Sequence, residues 1–121
     1  LPSTLTLLRM KIILLDENIP APLKKHFSVA FEVFTVHDKG WQSKEDLELL
    51  EAISEADFDF LMTADLNLEY QLNLSKYNLR LVVLLTYDNR YQTLKLKVPV
   101  IEAAILDSDA AEKIIRVDLR N

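Results

Sequence analysis

Short apolar segments separated by polar and amphipathic ones run along this chain of 121 residues. Lys11 to Leu15, Phe58 to Thr63 and Leu79 to Leu85 are largely apolar, which is typical of strands buried on both faces. Glu32 to Val36 is β-branched and alternates polar and apolar residues, so it also predicts a strand. Lys113 to Asp118 is the fifth predicted strand.

Amphipathic segments between these strands predict helices. The clearest is Ser43 to Ala56, where Leu47, Leu50 and Ile53 form an apolar stripe at helical spacing. The other predicted helices are Pro20 to Phe27, Leu68 to Lys76 and Pro99 to Leu106. Strands that alternate with helices are joined by crossovers, which make neighbouring strands parallel and cover both faces of the sheet. We therefore expect an α/β fold, a three-layer α/β/α sandwich with a mainly parallel five-stranded sheet.

The length and the apolar content of 50% fit one domain with a core of its own. Met10 resembles a natural start, so we expect a single domain over residues 10–121 and assign no role to residues 1–9. Those leading residues lack the basic start and cleavage site of a signal peptide. The absence of cysteine excludes disulfides and thiolate sites and fits a cytoplasmic protein.

Composition also narrows the function. Gly40 is the only glycine, which excludes the glycine-rich loops that bind dinucleotides or nucleotide phosphates. No apolar run approaches the ~20 residues of a membrane-spanning helix, so we expect no membrane partner. The net charge of −5 argues against broad nucleic-acid binding. A local basic rim stays open as an alternative, from Lys24, Lys25, Lys39, Lys44, Arg90, Lys95 and Lys97.

Two of the apolar strands end abruptly in acidic residues. Asp16 follows the first predicted strand, and Asp65 and Asn67 follow the third. In an open α/β sheet, the groups just past the carboxyl ends of the strands line the ligand crevice. Asp46 and Glu48 lie in the first turns of the predicted helix that opens at Ser43. If the sheet is parallel, we expect these oxygen ligands to converge.

Such a set of oxygens suits a hard divalent cation, which binds one or two carboxylates and keeps several waters for substrate phosphate. With only two histidines and no cysteine, zinc is not expected. The chemistry that fits is metal-assisted hydrolysis of phosphodiesters. The expected substrate contacts are Asn18, Thr63, Gln71 and Asn73.

Each of these residues also has a structural interpretation. Asp46 stands three residues after Ser43, which is the spacing of a capping box, and Glu48 could simply face water. Asp16 could belong to a turn before Pro20, and Asn18, Asp65 and Asn67 could cap turns or helices. Thr63 could only terminate its strand, and Gln71 and Asn73 could be structural. The sequence leaves these alternatives open.

Several motifs together resemble the PIN-like proteins of unknown function, small prokaryotic proteins related to the ribonuclease toxins of toxin–antitoxin pairs. The resemblance extends over Met10 to Asp118. Its motifs are residues 11–18 (KIILLDEN), Gly40-Trp41, Glu48-Leu49-Leu50, Phe58-Asp59, Thr63-x-Asp65-x-Asn67-Leu68-x-Tyr70-Gln71-x-Asn73 and the aliphatic strand Leu81 to Leu85.

The resemblance implies a PIN-like fold and a nuclease site that uses Mg²⁺ or Mn²⁺. Matched by position, Asp16, Glu48 and Asp65 are the catalytic acids, and Asp46 and Asn67 complete the metal ligands. Relatives usually carry Asn-Gly before the helix glutamate, where this chain has Asp46-Leu47. Asn67 replaces a carboxylate of many PIN nucleases, which removes one negative charge. RNA is the implied substrate and an antitoxin protein an implied partner. A homodimer is a further expectation, since most soluble oligomers are symmetric homo-oligomers.

Two other classes of protein compete with the nuclease. The first is a catalytically weak PIN-like binding module. The second is a phosphoacceptor receiver domain, which would use Asp16, Glu17, Asp65 and Thr86. A receiver needs a lysine just after its fifth strand, but Lys113 to Asp118 is followed only by Leu119, Arg120 and Asn121. It also has no use for Asp46 and Glu48, so the nuclease is preferred.

Overall fold

The computed structural model describes residues 9–120, which contain one five-stranded sheet. Its strands are β1 (Lys11–Leu15), β2 (Phe31–Thr35), β3 (Phe60–Thr63), β4 (Arg80–Leu85) and β5 (Ile114–Asp118). They follow the order β2-β1-β3-β4-β5, and all neighbouring pairs are parallel. The carboxyl ends of the strands therefore share one edge, called here the carboxyl edge, and the starts of the strands share the amino edge.

Between these strands, residues 9–120 form four α-helices: α1 (Asp46–Glu55), α2 (Leu68–Gln71), α3 (Tyr91–Leu94) and α4 (Val98–Asp107). Three 3₁₀ helices accompany them, over Ala21–His26, Leu74–Lys76 and Lys95–Lys97. Helices cover both faces of the sheet, so the predicted α/β class and the three-layer sandwich with a parallel five-stranded sheet are confirmed. Apart from Arg9, the predicted N-terminal extension lies outside the described residues, and so does Asn121, the last residue of the predicted domain.

Alternate residues of each buried strand enter different apolar layers. Ile13, Leu15 and Met62 point to the layer that contains Leu23 and Ile101, which we call the Ile13 face. The intervening residues enter the second layer, the Leu14 face, with Leu14, Leu61, Leu81, Val83, Leu50, Ile53, Leu68 and Leu74. This two-sided burial explains why the strands are continuously apolar.

The prediction of the first α-helix needs two corrections. Its first residue is Asp46 rather than Ser43, since Glu45 is extended (φ −72°, ψ 162°) and makes no side-chain capping bond. The capping-box interpretation of Asp46 is therefore wrong. Leu47, placed on the apolar stripe, is 64% exposed, whereas Leu50 and Ile53 are buried. The inward stripe consequently runs through Asp46, Leu50 and Ile53.

Other helices differ from the prediction at their ends. The segment Pro20 to Phe27 forms a 3₁₀ helix, and the predicted helix Leu68 to Lys76 divides in two because Leu72 is extended (φ −104°, ψ 137°). The helix predicted from Pro99 begins at Val98 and is preceded by α3, which was not predicted. The predicted strand positions are correct to within two residues at either end.

The crossover from β4 to β5 differs in hand from the other three. The connections from β2 to β3, β3 to β4 and β4 to β5 all step toward the same side of the sheet. Residues of α1 and α2 pack on the Leu14 face, but α3 and α4 pack on the Ile13 face. Two crossovers that step the same way over opposite faces have opposite hands. Compared with the crossovers from β2 to β3 and from β3 to β4, the connection from β1 to β2 steps the opposite way and packs on the opposite face. It therefore has the same hand as those two.

Candidate functional site

The strand order reverses direction at β1, which places a crevice between the carboxyl ends of β1 and β3. Asp16 is the first residue after β1, and its amide donates a hydrogen bond of 2.8 Å to the carbonyl of Met62 in β3. This bond continues the sheet pairing by one residue. The backbone of Asp16 is therefore fixed at the crevice by the sheet itself.

Thr63, the last residue of β3, organises this edge from inside. Its side chain is fully buried, and its hydroxyl donates a 2.8 Å hydrogen bond to Oδ2 of Asp16. The hydroxyl oxygen of Thr63 in turn accepts bonds from the Asp65 amide at 3.0 Å and from Nδ2 of Asn18 at 3.3 Å. The prediction that Thr63 contacts substrate is corrected, because a buried hydroxyl with these partners orients Asp16 instead.

Asn18 joins the turn after β1 to the turn after β3. Besides its bond to Thr63, its Oδ1 accepts a hydrogen bond of 3.0 Å from the amide of Ala64. Its interpretation as a helix cap is wrong, because Pro20 precedes the 3₁₀ helix and that position makes no side-chain capping bond. Since both polar atoms of its side chain have protein partners, Asn18 holds the crevice together from one side.

Asp65 has a structural role and a free oxygen at the same time. Its Oδ1 accepts a 2.9 Å hydrogen bond from the amide of Asn67, which supports the turn before α2 and confirms the interpretation as a turn cap. Within residues 9–120, Oδ2 of Asp65 and Oδ1 of Asp16 have no hydrogen-bond partner. Asn67 itself is exposed and makes no side-chain capping bond.

Asp46 reaches the crevice, but Glu48 does not. Residues two apart on an α-helix point about 200° away from each other, whereas residues at i, i+4 and i+7 share a face. Asp46, Leu50 and Ile53 accordingly line one cavity, and Glu48 is exposed outside its lining. Asn67 also lies outside this lining. The predicted convergence thus includes Asp16, Asp46 and Asp65 but neither Glu48 nor Asn67.

The cavity formed at the crevice has a volume of about 100 Å³. Its polar lining is Asp16, Asp46, Asp65 and Gln71, and its apolar lining is Leu49, Leu50, Ile53, Leu61, Leu68 and Leu72. We call it the acidic cavity. Three carboxylates from three different elements face a mostly apolar floor, which lowers the local dielectric constant and strengthens their attraction for a cation.

A second cavity of about 250 Å³ adjoins the acidic cavity and shares Asp46, Leu50, Gln71 and Leu72 with it. Its other lining residues are Leu47, Asn73, Lys76 and Tyr77. Of the predicted substrate contacts, Gln71 is exposed and lines both cavities. Asn73 lines the second, but its Oδ1 accepts bonds from the amide and hydroxyl of Ser75, so it also caps a 3₁₀ helix.

The carboxylates at the acidic cavity limit how a metal ion could bind there. Within residues 9–120, no three His, Asp or Glu side chains come together closely enough to hold one ion. A site with one or two carboxylates and several waters is nevertheless how Mg²⁺ usually binds, whereas Ca²⁺ requires six to eight oxygen ligands. Within residues 9–120, the acidic cavity therefore offers no dehydrated cage, and the carboxylates with an oxygen left for a hydrated ion are Asp16 and Asp65.

A loop that the sequence reasoning missed completes the carboxyl edge. Asn89 Nδ2 donates a 2.8 Å hydrogen bond to the carbonyl of Asn18. The neighbouring Asp88 is held by Arg90 and Thr93, and its side-chain bonds to Arg90 are the main cause that keeps the pKa of the Asp88 carboxyl well below its usual range. The signal was present, because polar residues follow β4 as they follow β1 and β3.

No protein-family model, curated protein or solved structure matches this chain. The resemblance to PIN-like proteins therefore stays a prediction, together with an antitoxin partner, a homodimer and a cytoplasmic location. The helices within residues 9–120 include none that is long and apolar enough to span a membrane.

Proposed function

We propose that this protein is a divalent-metal-dependent phosphodiesterase of the nuclease type that acts on RNA. The observation that carries the proposal is the convergence of Asp16, Asp46 and Asp65, from three elements, on one cavity at the switch point of a parallel sheet. Ligands of open α/β proteins bind at this position. The resemblance to PIN-like proteins supports the choice of RNA as substrate.

Asp16 and Asp65 would hold the ion through the oxygens that have no hydrogen-bond partner within residues 9–120. A bound Mg²⁺ or Mn²⁺ supplies a polarised phosphoryl oxygen and an activated water. Thr63 fixes the orientation of Asp16 by its hydrogen bond, so the carboxylate needs no reorganisation when an ion arrives. Asp46 adds negative charge to the cavity wall, and Gln71 offers hydrogen bonds at its rim.

The first experiment measures thermal unfolding with and without Mn²⁺. A ligand that binds only the folded state at about 100 times its Kd adds about 2.7 kcal/mol, which is a shift of several degrees. We expect this shift in the parent and in Glu48→Gln, since Glu48 lies outside the acidic cavity. We expect Asp65→Asn to abolish it. An unchanged shift in Asp65→Asn would remove the metal site.

The second experiment measures cleavage of a generic labelled single-stranded RNA. Metal-loaded parent protein is expected to cleave it, whereas Asp16→Asn is not, because this variant loses one negative charge of the proposed ligand pair. Equal activity in both samples would identify a contaminating nuclease. Chelation of the metal is expected to stop cleavage, and Glu48→Gln is expected to keep it.

A binding module without hydrolysis is the second candidate. It is favoured by the absence, among residues 9–120, of three acidic or histidine side chains that converge on one ion. RNA binding that continues without cleavage in Mg²⁺ and in Mn²⁺ would support it. Receiver domains share the strand order seen here. Labelling of Asp65 by acetyl phosphate would favour that class instead.

A further inference from the structure

A group of basic residues surrounds one tyrosine on the Ile13 face, away from the acidic cavity. The Nζ atoms of Lys25 and Lys95 lie 5.7 and 5.3 Å from the centroid of the Tyr91 ring. Nε2 of His26 and the hydroxyl of Tyr91 share a hydrogen bond of 2.6 Å. We call Lys25, His26, Tyr91 and Lys95 the Tyr91 cluster. Its members come from the 3₁₀ helix after β1 and from the segment after β4.

Within residues 9–120, the two lysines of this cluster make no ion pair, whereas Lys24 and Arg90 of the same two segments do. Lys24 binds Asp38 at 2.8 Å, and Arg90 binds Asp88 at 2.9 Å. Across residues 9–120, by contrast, no carboxylate forms a salt bridge with Lys25 or Lys95, and both side chains are exposed. In a chain with 19 acidic and 14 basic residues, this is a local concentration of unpaired positive charge. An anion placed there would be attracted by both exposed ammonium groups.

The Tyr91 cluster is tied to the acidic cavity through two turns. Asn18 lies two residues before Pro20, the cap of the 3₁₀ helix Ala21–His26. Its side chain bonds to Thr63, which orients Asp16. Asn89, two residues before Tyr91, donates a hydrogen bond to the carbonyl of Asn18. Both segments of the cluster therefore start at the carboxyl edge, where the acidic cavity also opens. A flexible polyanion that crosses this edge can contact both places.

We propose that the Tyr91 cluster binds the phosphate backbone of a single-stranded RNA whose adjoining segment reaches the acidic cavity. Lysines that neutralise phosphates supply most of the sequence-independent affinity for nucleic acids. Tyr91 holds the two ammonium groups near one ring, and such pairing of basic and aromatic side chains is typical of single-strand binding surfaces. The choice of RNA over a small anion rests on the proposed function.

The test measures the affinity of the whole protein for a labelled single-stranded RNA of about 12 nucleotides, within the range of single-strand site sizes. Fluorescence anisotropy is recorded over a series of salt concentrations, with EDTA present so that no metal-dependent cleavage occurs. The variant is Lys25→Gln/Lys95→Gln. Its control, Arg9→Gln/Lys11→Gln, removes the same charge from the amino edge, and Lys25→Arg/Lys95→Arg keeps both positive charges at the cluster.

We expect the glutamine variant of the cluster to lose about 1.4 from the slope of log affinity against log salt, or about 0.7 for each released counterion. The control and the arginine variant are expected to keep the parent slope. Equal slopes in all four proteins would overturn the inference, provided that thermal unfolding shows each variant folded. If inorganic phosphate displaced the labelled RNA at the same phosphate concentration as unlabelled RNA does, the cluster would be a small-anion site and the proposal would be overturned.

Binding to phosphatidylserine vesicles that depends on the cluster, without binding to RNA, would point to a lipid surface and overturn the proposal. The experiments distinguish a failure of this inference from a failure of the proposed nuclease function. Because the assay contains EDTA, a slope that depends on Lys25 and Lys95 stands even if Mn²⁺ stabilises neither the parent nor any variant. Conversely, a metal response that needs Asp65, with equal slopes throughout, would keep the nuclease and remove the RNA site.

Discussion

Aspartate occurs at both edges of the sheet, but its oxygens are used differently there. At the amino edge, Oδ2 of Asp59 accepts a hydrogen bond of 2.8 Å from the Ile12 amide, and Oδ1 lies 3.7 Å from Arg9. At the carboxyl edge, Asp16 and Asp65 each keep one oxygen without a hydrogen-bond partner within residues 9–120. Asp59 extends the pairing of β1 with β3, whereas Asp16 and Asp65 remain able to bind a further group.

The larger cavity of the two edges is not the one at the candidate site. The amino edge has a cavity of about 330 Å³, larger than the acidic cavity of about 100 Å³. Its lining includes two carboxylates, Asp57 and Asp59, and Arg9, which lies beside Asp59 and offsets one of the two charges. The lining of the acidic cavity contains three carboxylates and no basic residue. The difference teaches that uncompensated charge, placed by strand direction, marks the candidate site more reliably than volume.

The largest expected effect concerns Thr63, which links the sheet to the carboxyl edge. Thr63→Val keeps the shape of the side chain but leaves Asp16 and the amide of Asp65 without their partner. We expect a loss of about 3 kcal/mol in the free energy of unfolding, since each unsatisfied buried group costs about 1–3 kcal/mol. Chemical denaturation measures this loss.

Thr35 provides a matched comparison for Thr63. It also ends its strand, is 7% exposed and accepts one hydrogen bond, from the amide of Asp38 at 3.0 Å. Thr35→Val should therefore cost about 1 kcal/mol. We further expect Thr63→Val, but not Thr35→Val, to weaken the response to Mn²⁺. Equal losses of stability in the two variants would contradict the role of Thr63 as an organiser of the site.

An intermediate effect is expected at the amino edge. Asp59→Ala removes the acceptor of the Ile12 amide and should cost about 1 kcal/mol, because one hydrogen bond at a half-buried site is lost. The shift caused by Mn²⁺ should stay that of the parent. Thermal unfolding with and without the metal checks both statements, and a lost metal response in Asp59→Ala would break the distinction between the two edges.

The smallest expected effect separates two acids of the first turn of α1. Asp46→Asn and Glu48→Gln both remove a charge that the helix dipole favours, but only Asp46 faces the other carboxylates of the acidic cavity. We expect Asp46→Asn to be more stable than Glu48→Gln by about 0.5 kcal/mol at low salt, with the difference screened away at 1 M salt. Urea denaturation at both salt concentrations measures it. The opposite order would show that Asp46 does not repel Asp16 and Asp65.

Local pattern was enough to predict the sheet and two of the acids that line the acidic cavity. Continuously apolar strands imply burial on both faces, and strand direction then brings Asp16 and Asp65 to one edge. Asp46 was predicted as well, but Glu48 was wrongly placed beside it, because residues two apart on a helix point in different directions. The role of Thr63 depends on bonds between β1 and β3, which no local pattern contains.

The missed helix α3 had a signal in the sequence. Tyr91, Leu94, Val98, Ile101 and Ile105 recur at intervals of three and four residues, which is the spacing of one helical face. The predicted helix began at Pro99 because proline is common in the first turn of a helix, and the residues before it were therefore not assigned to a helix. The 3₁₀ helix Lys95–Lys97 links α3 to α4, so the apolar stripe continues through it.

The reversed hand of the crossover from β4 to β5 decides which chain segments become neighbours. Because α3 and α4 pack on the Ile13 face, Tyr91 meets His26, 65 positions earlier in the chain. With the majority hand, the same segment would lie over the Leu14 face beside α2, and Lys95 would be separated from Lys25 by the whole thickness of the sheet. One topological choice thus sets the route by which a long anion could approach the acidic cavity.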